Sequence, residues 1–161
     1  MTIAPIAGSS IAIQIHVAAA VLAVCLAPLI IARRRRDRMH KAMGYVWVSA
    51  MTLTALSSFW VREIRLIGDF SPIHLLSITT LAALIWAIAA IRAGNVRRHQ
   101  GIMRGLAFWS LGVAGAFTLL PGRRMNAVLF GDFPELGYVA IAILVCGLAV
   151  LSIRTRQRSY Q

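Results

Sequence analysis

Between Ser9 and Ala32 the chain carries no charged side chain. A helix rises 1.5 Å per residue, so about 20 residues cross the ~30 Å hydrocarbon layer of a bilayer. This run is long enough to span. Four more uncharged, apolar runs follow at 42–61, 71–91, 105–122 and 136–153, the last two near the short end of the spanning range. Only 14% of the 161 residues are charged, against about 25% in an ordinary soluble domain. The connections between runs are too short to hold a soluble domain. The expectation is an all-α integral membrane protein with five transmembrane helices (spans 9–32, 42–61, 71–91, 105–122 and 136–153) in a single transmembrane domain, 1–161. Spans one to four are expected to form an up-and-down four-helix bundle. Span five, which has no inward polar residue, is expected as a peripheral helix. The N-terminal stretch "MTIAPIAGSS" has no cationic region, and the run after it is too long for a signal-peptide core, so the first span is expected to stay in place.

The charge is distributed unevenly between connections. With the N-terminus outside, thirteen of the seventeen Lys and Arg residues fall inside: Arg33, Arg34, Arg35, Arg36, Arg38, Lys41, Arg92, Arg97, Arg98, Arg104, Arg154, Arg156 and Arg158. Arg62, Arg65, Arg123 and Arg124 fall outside, with four of the five acids; Asp37 alone lies inside. Lys and Arg bias sets orientation, so the expected topology is N-out, C-in, in a bacterial inner membrane with several passes. The run "RRRRDRMHK" then reads as a topology signal and an anionic-lipid contact, and nucleic acid is not an expected partner.

Each of the first four spans holds one histidine, and the fifth holds none. His16 lies two turns into span one from its outer end, and His74 opens span three at the same face. His40 opens span two and His99 opens span four, both at the inner face. Depth therefore sorts them into an outer pair, His16 with His74, and an inner pair, His40 with His99. In an up-and-down bundle, spans one and three are diagonal partners, as are two and four, and sites form between inward side chains of facing helices. Each pair could hold one haem iron from both axial sides. Two imidazoles saturate the iron, which favours electron transfer. Ionisable groups at membrane depth are costly and point to function. Read singly, each histidine also has a plainer explanation: His40 and His99 beside basic headgroup contacts, His74 on the exposed first turn after Ser71-Pro72. No acid or thiol stands near them to complete a zinc or copper set.

The motifs "IQIHVAAAVLAV", "RMHKAMGYVWV", "SPIHLLSITTL" and "VRRHQGIMRGLAF" resemble, in order, spacing and depth, the histidine motifs of transmembrane di-haem cytochromes b of the ascorbate-reducible type. Over residues 10–125 the chain also resembles a bacterial family of small multi-span membrane proteins of unknown function. The shared features are a basic run before an H-x-x-x-G-x-x-W start to span two, "FSPIHLLS", and "LLPGR". The cytochrome resemblance implies haem b, two per chain, with His16, His40, His74 and His99 as iron ligands. In this sequence the inner two lie close to the interface, and the extra span follows the four-helix core.

Other residues are read more simply. Cys25 and Cys146 are expected at different depths, unpaired, and buried as small apolar groups. Trp60, Tyr138, Tyr45 and Trp47 are expected as interfacial anchors. Pro28 should bend span one, and Gly44 and Gly101 leave room beside His40 and His99. Ser57, Ser58, Thr79 and Thr80 are expected to bond locally. Two function classes stay open. One is an electron-transferring oxidoreductase with two bis-histidine haems, reduced by a quinol or another small reductant. The other is a cofactor-free accessory or assembly subunit of a larger respiratory or photosynthetic membrane complex.

Overall fold

The hydrogen-bonding potential of a backbone in hydrocarbon must be met within the segment itself, and every regular element among the described residues is helical. The computed structural model describes residues 2–33, 37–61 and 72–157, the side chains of residues 32, 72 and 148–157 excepted. In chain order the helices are α1 (Ala4–Ala7), α2 (Ile11–Ala32), α3 (Arg38–Ser57), α4 (Pro72–Arg92), α5 (Val96–Gly105), α6 (Leu111–Thr118), α7 (Arg124–Phe130) and α8 (Leu136–Gln157). A 3-10 turn, Ser58–Trp60, ends α3, and a π-helical turn, Leu106–Ser110, follows α5. Three stretches, Ile11–Ile31, Arg38–Trp60 and Ile73–Arg92, are long and apolar enough to cross a membrane.

Two compact units make up the chain, Ser9–Ser110 and Met1–Gly8 with Leu111–Gln161. In the first, α2, α3, α4 and α5 pack as successive antiparallel neighbours. The direction can be read from individual contacts. His16 meets Ser57 while Ala23 meets Trp47, and Thr80 meets Ser110 while Ala87 meets His99. Gly94 makes the last reversal possible, with a φ of +74° that a residue bearing a Cβ adopts only at a cost.

Small residues set the contact between α2 and α3. Ala19, Ala23 and Ala27 recur one turn apart and are buried, and Ala23 is wholly so. Trp47 fills the space they leave, and its indole Nε1–H donates to the Ala23 carbonyl at 2.9 Å. Bulky apolar side chains take the outward positions. Val21, Val24, Leu53, Ile78, Ile85 and Trp86 are all exposed, an arrangement that suits lipid and would be a liability in water.

Several expectations are corrected here. Trp47 is 3% exposed and is a packing residue, whereas Tyr45, at 75%, keeps the position expected of an anchor. Cys25 and Cys146 are free, as expected, but exposed, because alanines occupy the contact face that Cys25 was expected to share. The second helix begins at Arg38, ahead of 42, because the Asp37 carboxylate caps it by accepting the His40 N–H at 2.9 Å. Around the fourth expected span, helix starts at Val96, where Asn95 Oδ1 accepts from the Arg98 N–H at 3.0 Å. It then passes through the π turn, and α6 ends at Thr118. A helix can thus begin among cations when a capping side chain satisfies its first N–H groups.

The second unit is pinned by one polar residue. Asn126 is 1% exposed, and its Nδ2 donates to the carbonyls of Leu119 at 2.7 Å and Pro134 at 2.9 Å. A Cβ at Gly137 would overlap the Leu119 carbonyl and the Asn126 amide, so only glycine lets α8 start there. The connection expected at 123–135 contains α7. Arg34, Arg35, Arg36, Arg62, Arg65, Glu63, Asp69 and Arg158 lie outside the described residues, as do the side chains of Arg154 and Arg156.

Candidate functional site

All four histidines belong to the unit Ser9–Ser110. The antiparallel order puts His16 and His74 at one end of it and His40 and His99 at the other. Along α4, the thirteen steps from His74 to Ala87, whose carbonyl meets His99, span about 20 Å at 1.5 Å per residue.

At the first end the serines of the α3 terminus form a corner. His16 Nδ1 lies 3.0 Å from Ser57 Oγ. Ser57 also lies 2.6 Å from the Leu53 carbonyl and 3.2 Å from that of Thr54. Ser58 Oγ donates to the Ala55 carbonyl or shares its proton with Ser77 Oγ, 2.6 Å away across the helix interface. The His74 ring stacks on Phe59, with centroids 5.4 Å apart and planes inclined by 7°. Both histidines of the outer pair therefore meet the same stretch, Ser57–Phe59. His74 is 3% exposed, so its ring is enclosed by protein and does not face headgroups.

At the opposite end, His99 Nδ1 lies 2.9 Å from the Ala87 carbonyl. A carbonyl only accepts, so the proton in this bond sits on His99 Nδ1. His40 sits in the first turn of α3, and its Nδ1 is buried with no hydrogen-bond partner among the described residues. The space beyond Gly44, one turn further along α3, is open, as is that beyond Gly101. Asp37 holds this terminus. It caps α3 and pairs with Arg33 through both carboxylate oxygens. The hydrogen bond from Arg33, then that from the His40 N–H, lowers the Asp37 pKa from 3.8 to about 2. The same bond raises that of Arg33.

The structure thus gathers the outer pair around one corner and puts His40, on α3, and His99, on α5, toward the opposite end of the unit. Among the described contacts neither ring touches its partner ring. No group of three or more His, Cys, Asp or Glu side chains assembles among the described residues. Of the outer arginines, Arg123 lies 4.8 Å above the Phe117 ring and Arg124 Nη1 donates to the Pro5 carbonyl at 3.2 Å. Both are thereby engaged within their own unit.

The cross-helix serines had no assigned role in the sequence. Thr79, Ser57 and Ser58 all bond locally, as expected, and Ser57, Ser58 and Thr80 also reach other elements. A signal was present on α4, where His74, Ser77 and Thr80 recur every third residue in an otherwise apolar helix and are all buried. Polar groups on one face of an apolar helix mark the face that meets other helices.

Apolar helices of spanning length, outward bulky side chains and an inward polar seam define an all-helical membrane protein. The chain belongs to the family described as predicted membrane protein (DUF2306), whose profile matches residues 13–154. Comparison with curated proteins and with solved structures gave no match.

Proposed function

We propose that this protein is a membrane-embedded haem b protein that passes electrons between two bis-histidine sites, His16 with His74 and His40 with His99. The observation that carries the reading is the placement of four histidines in one unit, in pairs at its two ends. In the His99 ring, the Nδ1–H bond to Ala87 leaves Nε2 without a hydrogen bond among the described residues. A ligating histidine characteristically donates its other ring N–H to a carbonyl or similar acceptor, which fixes tautomer and orientation. The open space beyond Gly44, one turn along α3 from His40, would leave room for a flat macrocycle beside that ring.

Haem supplies one-electron chemistry, and six-coordinate iron has no vacant position for oxygen. The chain's part is to hold four imidazoles, exclude water with alanine-rich helix contacts, and keep the two sites about 20 Å apart. The reading places five spans in an inner membrane, N-out and C-in, with a quinol or another small reductant as donor. The accessory-subunit reading has no specific residue in its favour, while the His99 bond speaks for ligation.

The test is spectroscopic. Protein purified from haem-replete cells should show a Soret band, a sharp reduced-minus-oxidised α-band, and about two haems per chain by pyridine haemochrome assay. His16→Leu or His74→Leu should remove one haem, and His40→Leu or His99→Leu the other. A colourless preparation, or four variants with unchanged haem, would refute the proposal.

A further inference from the structure

Ser57 has three polar neighbours and one hydrogen to give. Two of them, the Leu53 carbonyl at 2.6 Å and the Thr54 carbonyl at 3.2 Å, are acceptors only. The third is His16 Nδ1, at 3.0 Å. A hydroxyl carries one proton and two lone pairs. The short bond to Leu53 takes the proton, so the oxygen faces His16 with a lone pair. It can only accept, and the proton in that bond must sit on Nδ1. His16 then carries a proton on Nδ1, which leaves Nε2 outside the bond to Ser57.

We propose that Ser57 is the positioning residue of the outer site, and that its hydroxyl, locked by the Leu53 carbonyl, fixes His16 in the tautomer that presents Nε2 to a ligand. The role of Nε2 as an iron ligand rests on the proposed function; the tautomer does not. Ser57 is 6% exposed, so water does not compete for this bond as it would at a surface. His99 reaches the same state by a different route, through a backbone carbonyl. The two ends of the unit therefore differ in a way that substitution can expose. The acceptor behind His99 is main chain and survives any side-chain change. Behind His16 stand the Ser57 hydroxyl and the Thr54 main chain, and of the two only the hydroxyl can be removed by side-chain substitution. Losing an acceptor of this kind typically lowers metal affinity about 10–100-fold, and a less basic imidazole stabilises oxidised iron less, which raises the potential of that site.

The experiment uses the full chain in detergent with ¹⁵N-labelled histidine, first haem-free at about pH 8, above the ordinary imidazole pKa of about 6.5. Wild type should show His16 with a protonated Nδ1 and an unprotonated Nε2. Ser57→Ala should shift His16 toward the Nε2–H form, and Ser57→Thr should restore the wild-type spectrum. Ser58→Ala is the control: it cuts the neighbouring bond to Ser77 without touching His16, so a general loosening of the corner would move both alanine variants alike. In haem-loaded protein, Ser57→Ala should weaken one haem about 10–100-fold and raise its potential, leaving the other unchanged. An Nε2–H form in wild type, an unmoved spectrum in Ser57→Ala, or equal shifts in Ser57→Ala and Ser58→Ala would each overturn the assignment. Wild type without haem would overturn the proposed function instead, and the haem-free spectra would still decide the role of Ser57.

Discussion

Asp37 shows how a single side chain can organise one end of the histidine unit. Its carboxylate accepts the His40 N–H, satisfying one of the orphaned amides of the first turn of α3, and binds Arg33 at the same time. The folded pKa, about 2, lies below the ordinary 3.8. A depressed carboxylate contributes its stability in full above the unfolded value and loses it as pH falls through the folded one. The cap should therefore be intact above about pH 4 and fail toward pH 2. Carboxyl NMR of Asp37 should give a midpoint near 2, and Arg33→Gln should move it toward 3.8, because the Arg33 bond is the largest cause. Asp37→Asn should keep the helix start and lose the acid transition. A midpoint near 4 in wild type would show that the pair does not form in solution. Residue chemistry of this sort was only partly legible beforehand. Histidines stand out in an apolar sequence by type alone. Ser57 does not, because a serine in a helix can satisfy itself on the carbonyl four residues back. Its second bond to His16 depends on a residue 41 positions away.

Elements were more legible than their contacts. Hydrophobic runs reveal a spanning helix by length, so α2, α3 and α4 were expected close to where they stand. Runs do not reveal which face packs, and α2 is apolar nearly all round. That is why Trp47 looked like an interface anchor and Cys25 like a core residue. The face is set by size: the alanine stripe admits the indole, which then needs a carbonyl for its N–H. Ala23→Leu should put a branched side chain where no space exists and cost about 1–3 kcal/mol. Trp47→Phe should cost about 0.5–1.5 kcal/mol for the lost bond to Ala23, with a cavity term on top. Both can be read as shifts in thermal unfolding of the purified protein in detergent. Cys25→Leu, at an exposed position, should change little. If Cys25→Leu destabilised more than Ala23→Leu, the assignment of the packing face would be reversed. The break after α5 was beyond the reach of periodicity, since the basic first turns mask a helix that Asn95 begins.

Over the whole molecule, the forces that set structure and orientation act on different residues. Packing is carried by alanine, serine and one tryptophan in the first unit, and by Asn126 against Gly137 in the second. In the proposed topology, orientation falls to Lys and Arg in the connections. Thirteen of seventeen fall on one side of the proposed topology, and only Asp37 opposes them there. Moving such residues across the membrane is the costly step during insertion, which is why the proposed topology puts the side they share in the cytoplasm. The consequence can be measured without knowing the cofactor. In a variant with Cys25 and Cys146 replaced by serine, a cysteine at Asp132 should react with a membrane-impermeant thiol reagent added to whole cells. A cysteine at Ala93 should react only after the membrane is opened. Both positions are exposed in the structure, so silence cannot be put down to burial in the protein. Labelling of Ala93→Cys in intact cells with protection of Asp132→Cys would invert the topology. The His40 and His99 end of the unit would then face outward, and the electron donor would have to be sought on the other side of the membrane.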